Sequence, residues 1–493
     1  MHGCFFLLFP LLVPILAGML TGILPVFRSR KPCRLFTGFF LAVSSLLMLC
    51  AAVFLPGEQL VLWHLTESIP VQLRLDGLSR FYLAMTAVMW ALAGFYSFEY
   101  MNHEKEEHRF QAFFLITQGV LSGLTMAGNL VTLYMFYEAM TLMTLPLVLH
   151  SRTKEAIAAG IKYLVYSVFG ASAALLGIFF LNRVCVSLSF VPGGNLKPEA
   201  LSGANGTLLA ICFLMILGFG TKAGMFPLHG WLPTAHPEAP APASAVLSGV
   251  ITKMGVLGIL RVVYYCVGAS CLRGTWVQTA WMVLTLITVF MGSMLALRED
   301  IFKKRLAYSS VSQVSYVLFG LSTLTASGLV GALLHILFHS AIKITLFMTA
   351  GAVISKTGLT RVSELRGIGK RMPFVFVLFT VASLGLIGIP PTGGFVSKWY
   401  LAAGALDLPS AFSIIGPATL LLSAILTAAY LLPVSINGFL PGRDFDSSRL
   451  TDASPSLRMT LPMLLLSLFV LLGGMFPSRI IDLLSSLAAA VLR

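Results

Sequence analysis

Residues 218–261 read GFGTKAGMFPLHGWLPTAHPEAPAPASAVLSGVITKMGVLGILR, an apolar stretch interrupted by two lysines, two histidines and five prolines. Both flanks are apolar enough for membrane helices, so spans are predicted at about 206–229 and 241–267. Lys222 lies inside the first and Lys253 inside the second. A lysine at mid-bilayer costs about 2.5–3.5 kcal/mol on insertion scales, and such residues usually mark an ion path. Pro227, just past Lys222, removes a backbone donor and is expected to break or kink the first helix. Backbone freed at membrane depth is tolerated only where protein or water covers it. A buried cation beside a broken helix is how ion-translocating membrane chains are built.

The rest of the chain has the same character. It has 493 residues, 57% hydrophobic and 11% charged, whereas a soluble protein carries about 25% charged residues. The net charge of +14 does not point to nucleic acid, because the basic residues sit in short loops such as RSRKPCR (28–34). That is the positive-inside pattern of an inner cell membrane protein, with the lipid bilayer and its anionic leaflet as neighbours. The seven cysteines are scattered, without C-x-x-C or metal-ligand spacing, so no metal centre, cofactor or disulfide framework is expected. The chain is apolar from Phe5, and its first basic cluster (Arg28, Arg30, Lys31, Arg34) follows that run. A cleavable leader has the opposite order, so residues 5–25 are read as a retained span with an outside N-terminus.

Apolar runs predict an all-α polytopic membrane protein with about fourteen transmembrane helices. Residues 1–109 hold spans 1–3, with an external β-hairpin at 56–77 suggested by alternation in QLVLW and VQLRL. Spans 4–8 fall in 110–267 and spans 9–13 in 268–440. Residues 441–493 hold a cytoplasmic loop, span 14 and an amphipathic tail suited to the membrane surface. The stretch GIPPTGGFVSKWYL (388–401) predicts a second broken helix, with Lys398 beyond its double proline. It recurs five spans after the first break. An odd offset reverses orientation, so the two five-helix groups are expected to be inverted repeats. An even span count puts both termini on one side, the outer one by the charge rule.

Seven residues are the chemical candidates: Glu138, Lys222, Lys253, His335, His339, Lys343 and Lys398. A buried carboxylate either protonates or finds a cation, and Lys222 is the candidate partner of Glu138. Burial favours a neutral amine and a nearby carboxylate the ammonium, so a movable partner can make a lysine take up and release a proton. The bland alternative is a buried pair that only fixes helix packing. Snorkelling to the interface is a weak account of Lys222 and Lys253 and a stronger one of Lys162 and Arg261, nearer span ends. His335, His339 and Lys343, at i, i+4 and i+8, share one helix face, and histidines pass protons readily near neutral pH. A metal pair has the same spacing, but no third ligand is evident nearby. His229 and His236 flank the turn between spans 7 and 8, where a structural role and proton entry are equally open. Lys398 ends the series, as an exit group or as a span anchor.

The run LPTAHPEAPAPASAVLSGVITKMGVLGILR strongly resembles the antiporter-like membrane subunits of respiratory complex I (NADH-quinone oxidoreductase) and its relatives. HILFHSAIKITLFMTAGAVI and GIPPTGGFVSKW are similar to the companion motifs around the second broken helix. The resemblance covers about 75–400. It implies two inverted five-helix bundles, each with a discontinuous helix, and a mid-membrane axis of charged residues to which Glu138, Lys222, Lys253, His335, His339, Lys343 and Lys398 correspond. Lys398 stands where one complex I paralogue usually has glutamate. The chain looks most like the D-type component of Mrp-type Na+/H+ antiporters and the matching subunits of membrane-bound hydrogenases. The implied function is proton translocation within a hetero-oligomeric membrane complex, with any electron chemistry on its partners. Direct Na+ exchange and a non-transporting structural subunit are the alternatives.

Overall fold

The computed structural model describes residues 2–201, 206–442 and 455–492. Most of the predicted loop between 441 and span 14, residues 443–454, therefore lies outside the described residues. The protein is mainly helical. Helices α1 (Leu8–Ile23) and α2 (Arg30–Phe54) precede an antiparallel hairpin of β1 (Gln59–Thr66) and β2 (Ile69–Arg74). Next come α3 (Gly77–Tyr100), α4 (Glu107–Thr125), α5 (Leu130–Val148) and α6 (Lys154–Val184). The first broken helix is α7 (Gly206–Ala223) with α8 (Leu232–Glu238), and α9 (Ala241–Val267) follows. Then come α10 (Trp276–Arg298), α11 (Phe302–Ser322) and α12 (Ala326–Thr357). The second broken helix is α13 (Pro373–Ile387) with α14 (Gly393–Leu406). The chain continues through α15 (Phe412–Phe439), α16 (Leu457–Met475) and α17 (Ser478–Val491).

Ten of these helices are long and apolar enough to cross a membrane: α2, α3, α5, α6, α7, α9, α10, α12, α15 and α16. Four predicted spans differ for identifiable reasons. α1 and α13 are apolar but short. α4 carries Gln111, Gln118 and Ser122 inward, where they bond Ser97, Ser45 and the Pro10 carbonyl. α11 opens on Lys303, Lys304 and Arg305 and continues through the serine-rich 309–315.

Helix ends follow local chemistry. Asp76, Asn129, Thr153 and Thr325 cap α3, α5, α6 and α12 by accepting an N–H three residues on, satisfying donors that the first turn leaves free. α9 and α12 form the centre: every residue of the most apolar stretch of α9 and 94% of that of α12 is buried, against 39% for α2, α6 and α15.

The breaks sit close to where the prolines place them. α7 ends at Ala223, before Pro227, and Gly224 turns the chain with φ +81°. The Met225 and Gly224 amides and the Trp231 indole cap the carbonyls of Gly220 and Thr221. α13 ends at Ile387, and Gly388 turns at φ +90°. The tail forms the amphipathic helix α17, whose buried face, Leu484, Ala488 and Val491, packs on the protein body.

Candidate functional site

Lys222 closes the last turn of α7 and is 1% exposed. Its ammonium donates to Thr141 Oγ1 (3.0 Å), Tyr163 Oη (3.0 Å) and Ser167 Oγ (2.8 Å). Three neutral oxygens therefore match its three protons. The Tyr163 ring centroid lies 4.4 Å away and adds a cation–π contact. Glu138 stands one turn before Thr141 on α5, half-buried, with Oε1 lacking a hydrogen-bond partner. Lys222 is within its electrostatic reach, but no ion pair within 4.0 Å joins them among the described residues.

Lys253 is fully buried at the centre of the molecule. It follows a π-helical turn, Leu247–Ile251, a distortion that loosens the ordinary helical bonding and recurs at functional sites. The Ser248 carbonyl in that turn accepts from Thr252 Oγ1 (2.8 Å) and from the Lys253 ammonium. Ser248 Oγ meets Ser310 Oγ of α11 at 2.7 Å. One residue back, Ser309 Oγ and the Leu306 carbonyl (2.7 Å) hold the ammonium of Lys343. Ser248, which holds Lys253, and Lys343 thus contact adjacent serines of α11.

The histidines of α12 continue the series. The His335 and His339 rings stack at 5.5 Å, and Tyr316 of α11 stacks on His335 at 5.6 Å. His335 Nδ1 contacts Ser397 Oγ at 2.9 Å, while its Nε2 and both nitrogens of His339 lack a protein partner. Lys398 sits beyond, 4.8 Å from the Tyr316 ring centroid. Its ammonium donates to the carbonyls of Leu386 (2.7 Å) and Ile387 (2.9 Å), the last residues of α13. A helix C-terminus offers unpaired carbonyls and the negative end of its dipole to such a cation.

The seven residues predicted from sequence thus fall into two groups. Glu138 and Lys222 face the hydroxyls of α5 and α6. Lys253, Lys343, His339, His335 and Lys398 lie on or between α9, α11, α12 and α14, with Lys253 in electrostatic reach of both histidines and Lys343, while both nitrogens of His339 lack a hydrogen-bond partner. Between the groups, α7 and α9 pack backbone to backbone at Gly255, two residues from Lys253. His236 is not at the interface: it is fully buried, stacked on Phe347 at 4.6 Å, and Lys343 lies over that same ring. Arg261 does not snorkel either. It is 1% exposed and ion-paired to Asp76, with the Phe190 and Tyr265 ring centroids each 4.5 Å from its guanidinium carbon.

Sequence reasoning passed over the hydroxyl partners Thr141, Tyr163, Ser167, Ser309 and Ser397, and the ring of Tyr316. One signal was available: SSVSQVS (309–315) is unusually polar for a helix so deeply buried.

Residues 127–439 match the family model described as NADH:quinone oxidoreductase/Mrp antiporter, TM. The N-type component of the NADH-quinone oxidoreductase of Desulforudis audaxviator is 33% identical over 84% of this chain and 83% of its own length. The D-type component of the Na(+)/H(+) antiporter of Bacillus subtilis is 28% identical over 88% of this chain and 87% of its own. Hydrogenase-4 component B of Escherichia coli is 33% identical over 68% of this chain but 51% of its own. Among solved structures, a chain of the Mrp complex from Dietzia sp. superposes with TM-score 0.84 at 22% identity, over 100% of this chain and 98% of that one. A chain of respiratory complex I from Thermus thermophilus gives 0.80 at 23%, over 98% and 99%. With a model matching more than half its length and a relative at this level over most of it, the chain belongs to the NADH:quinone oxidoreductase/Mrp antiporter family of transmembrane subunits.

Proposed function

We propose that this antiporter-like subunit moves protons across the membrane along Lys222, Lys253, the His335/His339/Lys343 face and Lys398, as part of a larger ion-pumping complex. The observation that carries this reading is the state of the four lysines. Lys222, Lys253, Lys343 and Lys398 are held by hydroxyls and carbonyls, and none is in an ion pair among the described residues. A lysine locked to a carboxylate keeps its proton, whereas one held by neutral acceptors can pass it on. Entry is placed near the start of α9, where Lys303 bonds the Ala239 carbonyl at 2.8 Å and His236 leads inward to Lys343. Glu138 sets the state of Lys222 by approaching or withdrawing, in response to a neighbouring subunit. The fourteen-span arrangement with inverted five-helix repeats belongs to this proposal. It is supported by the paired breaks and by the match in fold.

In the assembled complex, Lys222→Ala or Glu138→Ala abolishes proton movement in inverted vesicles while assembly is unchanged. Undiminished pumping in both variants would exclude the relay. Direct Na+ exchange is the second reading, favoured by the near full-length match to a component of a Na(+)/H(+) antiporter. Proton flux that requires Na+ on the opposite side would select it. If neutralising the series alters only stability, its charges serve packing alone.

A further inference from the structure

A groove of about 600 Å³ runs between α2 and α3, and none of the charged series lines it. Its walls are apolar: Leu35, Phe39, Ala42, Leu92 and Phe95 line it, and Gly38 widens it. At one end stand two arginines, Arg34 of α2 and Arg458 of α16. We propose that this groove is a binding site for a phospholipid with an anionic headgroup, whose phosphate meets Arg458 and Arg34 and whose acyl chain lies along Gly38 and Ala42.

Depth separates a lipid from a partner helix as occupant. The lining runs from Arg34 to Ala42 on α2 and from Ala91 to Phe98 on α3. At 1.5 Å per residue, that is about 12 Å of helix. It approaches the thickness of one leaflet, about half of a 30 Å hydrocarbon core. A spanning helix needs a seat of the full 30 Å and is itself about 10 Å across. The charge is placed to match. Arg34 is fixed by Glu107 (2.6 Å) and Asn102 (2.7 Å). Arg30 lies one turn before it, 3.8 Å from the same carboxylate. Arg458, exposed, lines the groove without an ion pair among the described residues, and exposed Lys31 adds charge on the same turn of α2. An exposed cationic end above an apolar groove in a membrane wall is a headgroup pocket. Gly38 keeps it open: a Cβ there would reach the Phe98 ring at 3.5 Å, an ordinary contact, and a longer side chain would project into the space.

Delipidated complex is titrated with dioleoyl phosphatidylglycerol or dioleoyl phosphatidylcholine and examined by native mass spectrometry. Retention of phosphatidylglycerol should exceed that of phosphatidylcholine several-fold. Arg458→Gln should erase the preference, and Gly38→Leu should lower retention of both lipids. Equal retention of the two lipids by the unaltered chain, or unchanged retention in both variants, overturns the proposal. A benzoylphenylalanine placed at exposed Leu35 gives an independent reading in native membranes. A lipid adduct supports the site, and an adduct to another polypeptide assigns the groove to a partner subunit instead.

Discussion

Arg261 and Asp76 tie the end of α9 to the start of α3 through two hydrogen bonds, one of them 2.9 Å, and Ser79 Oγ takes a third at 2.8 Å. Burial alone would push the Asp76 carboxyl up. The guanidinium, and then the Ser79 N–H and O–H, more than offset this and hold it below the usual range. A carboxyl depressed in the folded state stabilises above its unfolded pKa of about 3.9 and loses that contribution as pH falls through the folded value. Asp76→Asn keeps the α3 cap but leaves Arg261 buried without its counter-charge, which costs about 3–5 kcal/mol. Thermal melts should show a constant gap between the two proteins above about pH 5 and convergence towards pH 3. A gap unchanged at pH 3 would show that the ion pair is not its source. His150 titrates in a different window. Its burial, and then the Arg109 guanidinium beside it, push its imidazole down to about 4. Because its folded value lies below the unfolded one of about 6.5, stability is lost as pH falls from 6.5 towards 4, by about 1–3 kcal/mol. His150→Gln should flatten melts across that window. An unchanged slope would place the titrating group elsewhere. Of these residues, the lysines and Glu138 were legible in sequence because charge in an apolar run is costly and therefore conspicuous. Their hydroxyl partners were not, since Ser, Thr and Tyr are ordinary in membrane helices and only folding decides which of them face a lysine.

At the scale of elements, legibility follows residue type. Pro227 and the Pro390–Pro391 pair announced both breaks, because proline cannot complete the helical ladder. No residue type announces the π-turn before Lys253, and periodicity is nearly silent in α9, which is buried on every side. The close approach of α7 and α9 was equally hidden. It depends on Gly255, where a Cβ would stand 2.5 Å from the Phe219 carbonyl oxygen and 2.8 Å from the Ala223 amide. Main chain cannot yield as a side chain does, so Gly255→Ala should cost about 1–3 kcal/mol by overpacking. This exceeds the gain of about 1 kcal/mol that alanine brings to a helix. Gly38→Ala meets only ordinary contact and keeps that gain. Melting temperatures should therefore move in opposite directions, down for Gly255→Ala and level or up for Gly38→Ala. Proton flux should fall with the first, because α7 carries Lys222. A Gly255→Ala protein that melts normally would mean that the helices separate freely at this contact.

For the whole molecule, the contacts between loops sort into two sets. Arg74 bonds the Phe190 carbonyl at 3.3 Å, Arg261 bonds Asp76, and Gly77 abuts Leu487 of α17. Together these gather the hairpin, the loop after α6, the end of α9 and the C-terminal helix on one face. Elsewhere Arg34 bonds Asn102, His150 bonds the Lys105 carbonyl at 2.9 Å, and the Phe302 amide bonds the Thr360 carbonyl at 2.8 Å. These join the segments after α1, α3, α5, α10 and α12 on the opposite face. The second set holds the dense basic segments, 28–34, 303–305 and 361–371, while the first holds Glu58, Glu67, Asp76 and Asp482 among few arginines and lysines. Lys and Arg in short loops stay cytoplasmic during insertion, so the basic face should be cytoplasmic, and the hairpin with α17 should lie outside. Cysteine placed at Ser68, in the hairpin turn, on a background lacking the native cysteines should react with a membrane-impermeant maleimide in intact cells. Cysteine at Ser151, between α5 and α6, should react only after the membrane is opened. The reverse pattern would invert the protein and, with it, the direction of the proposed relay, placing entry at Lys303 outside the cell.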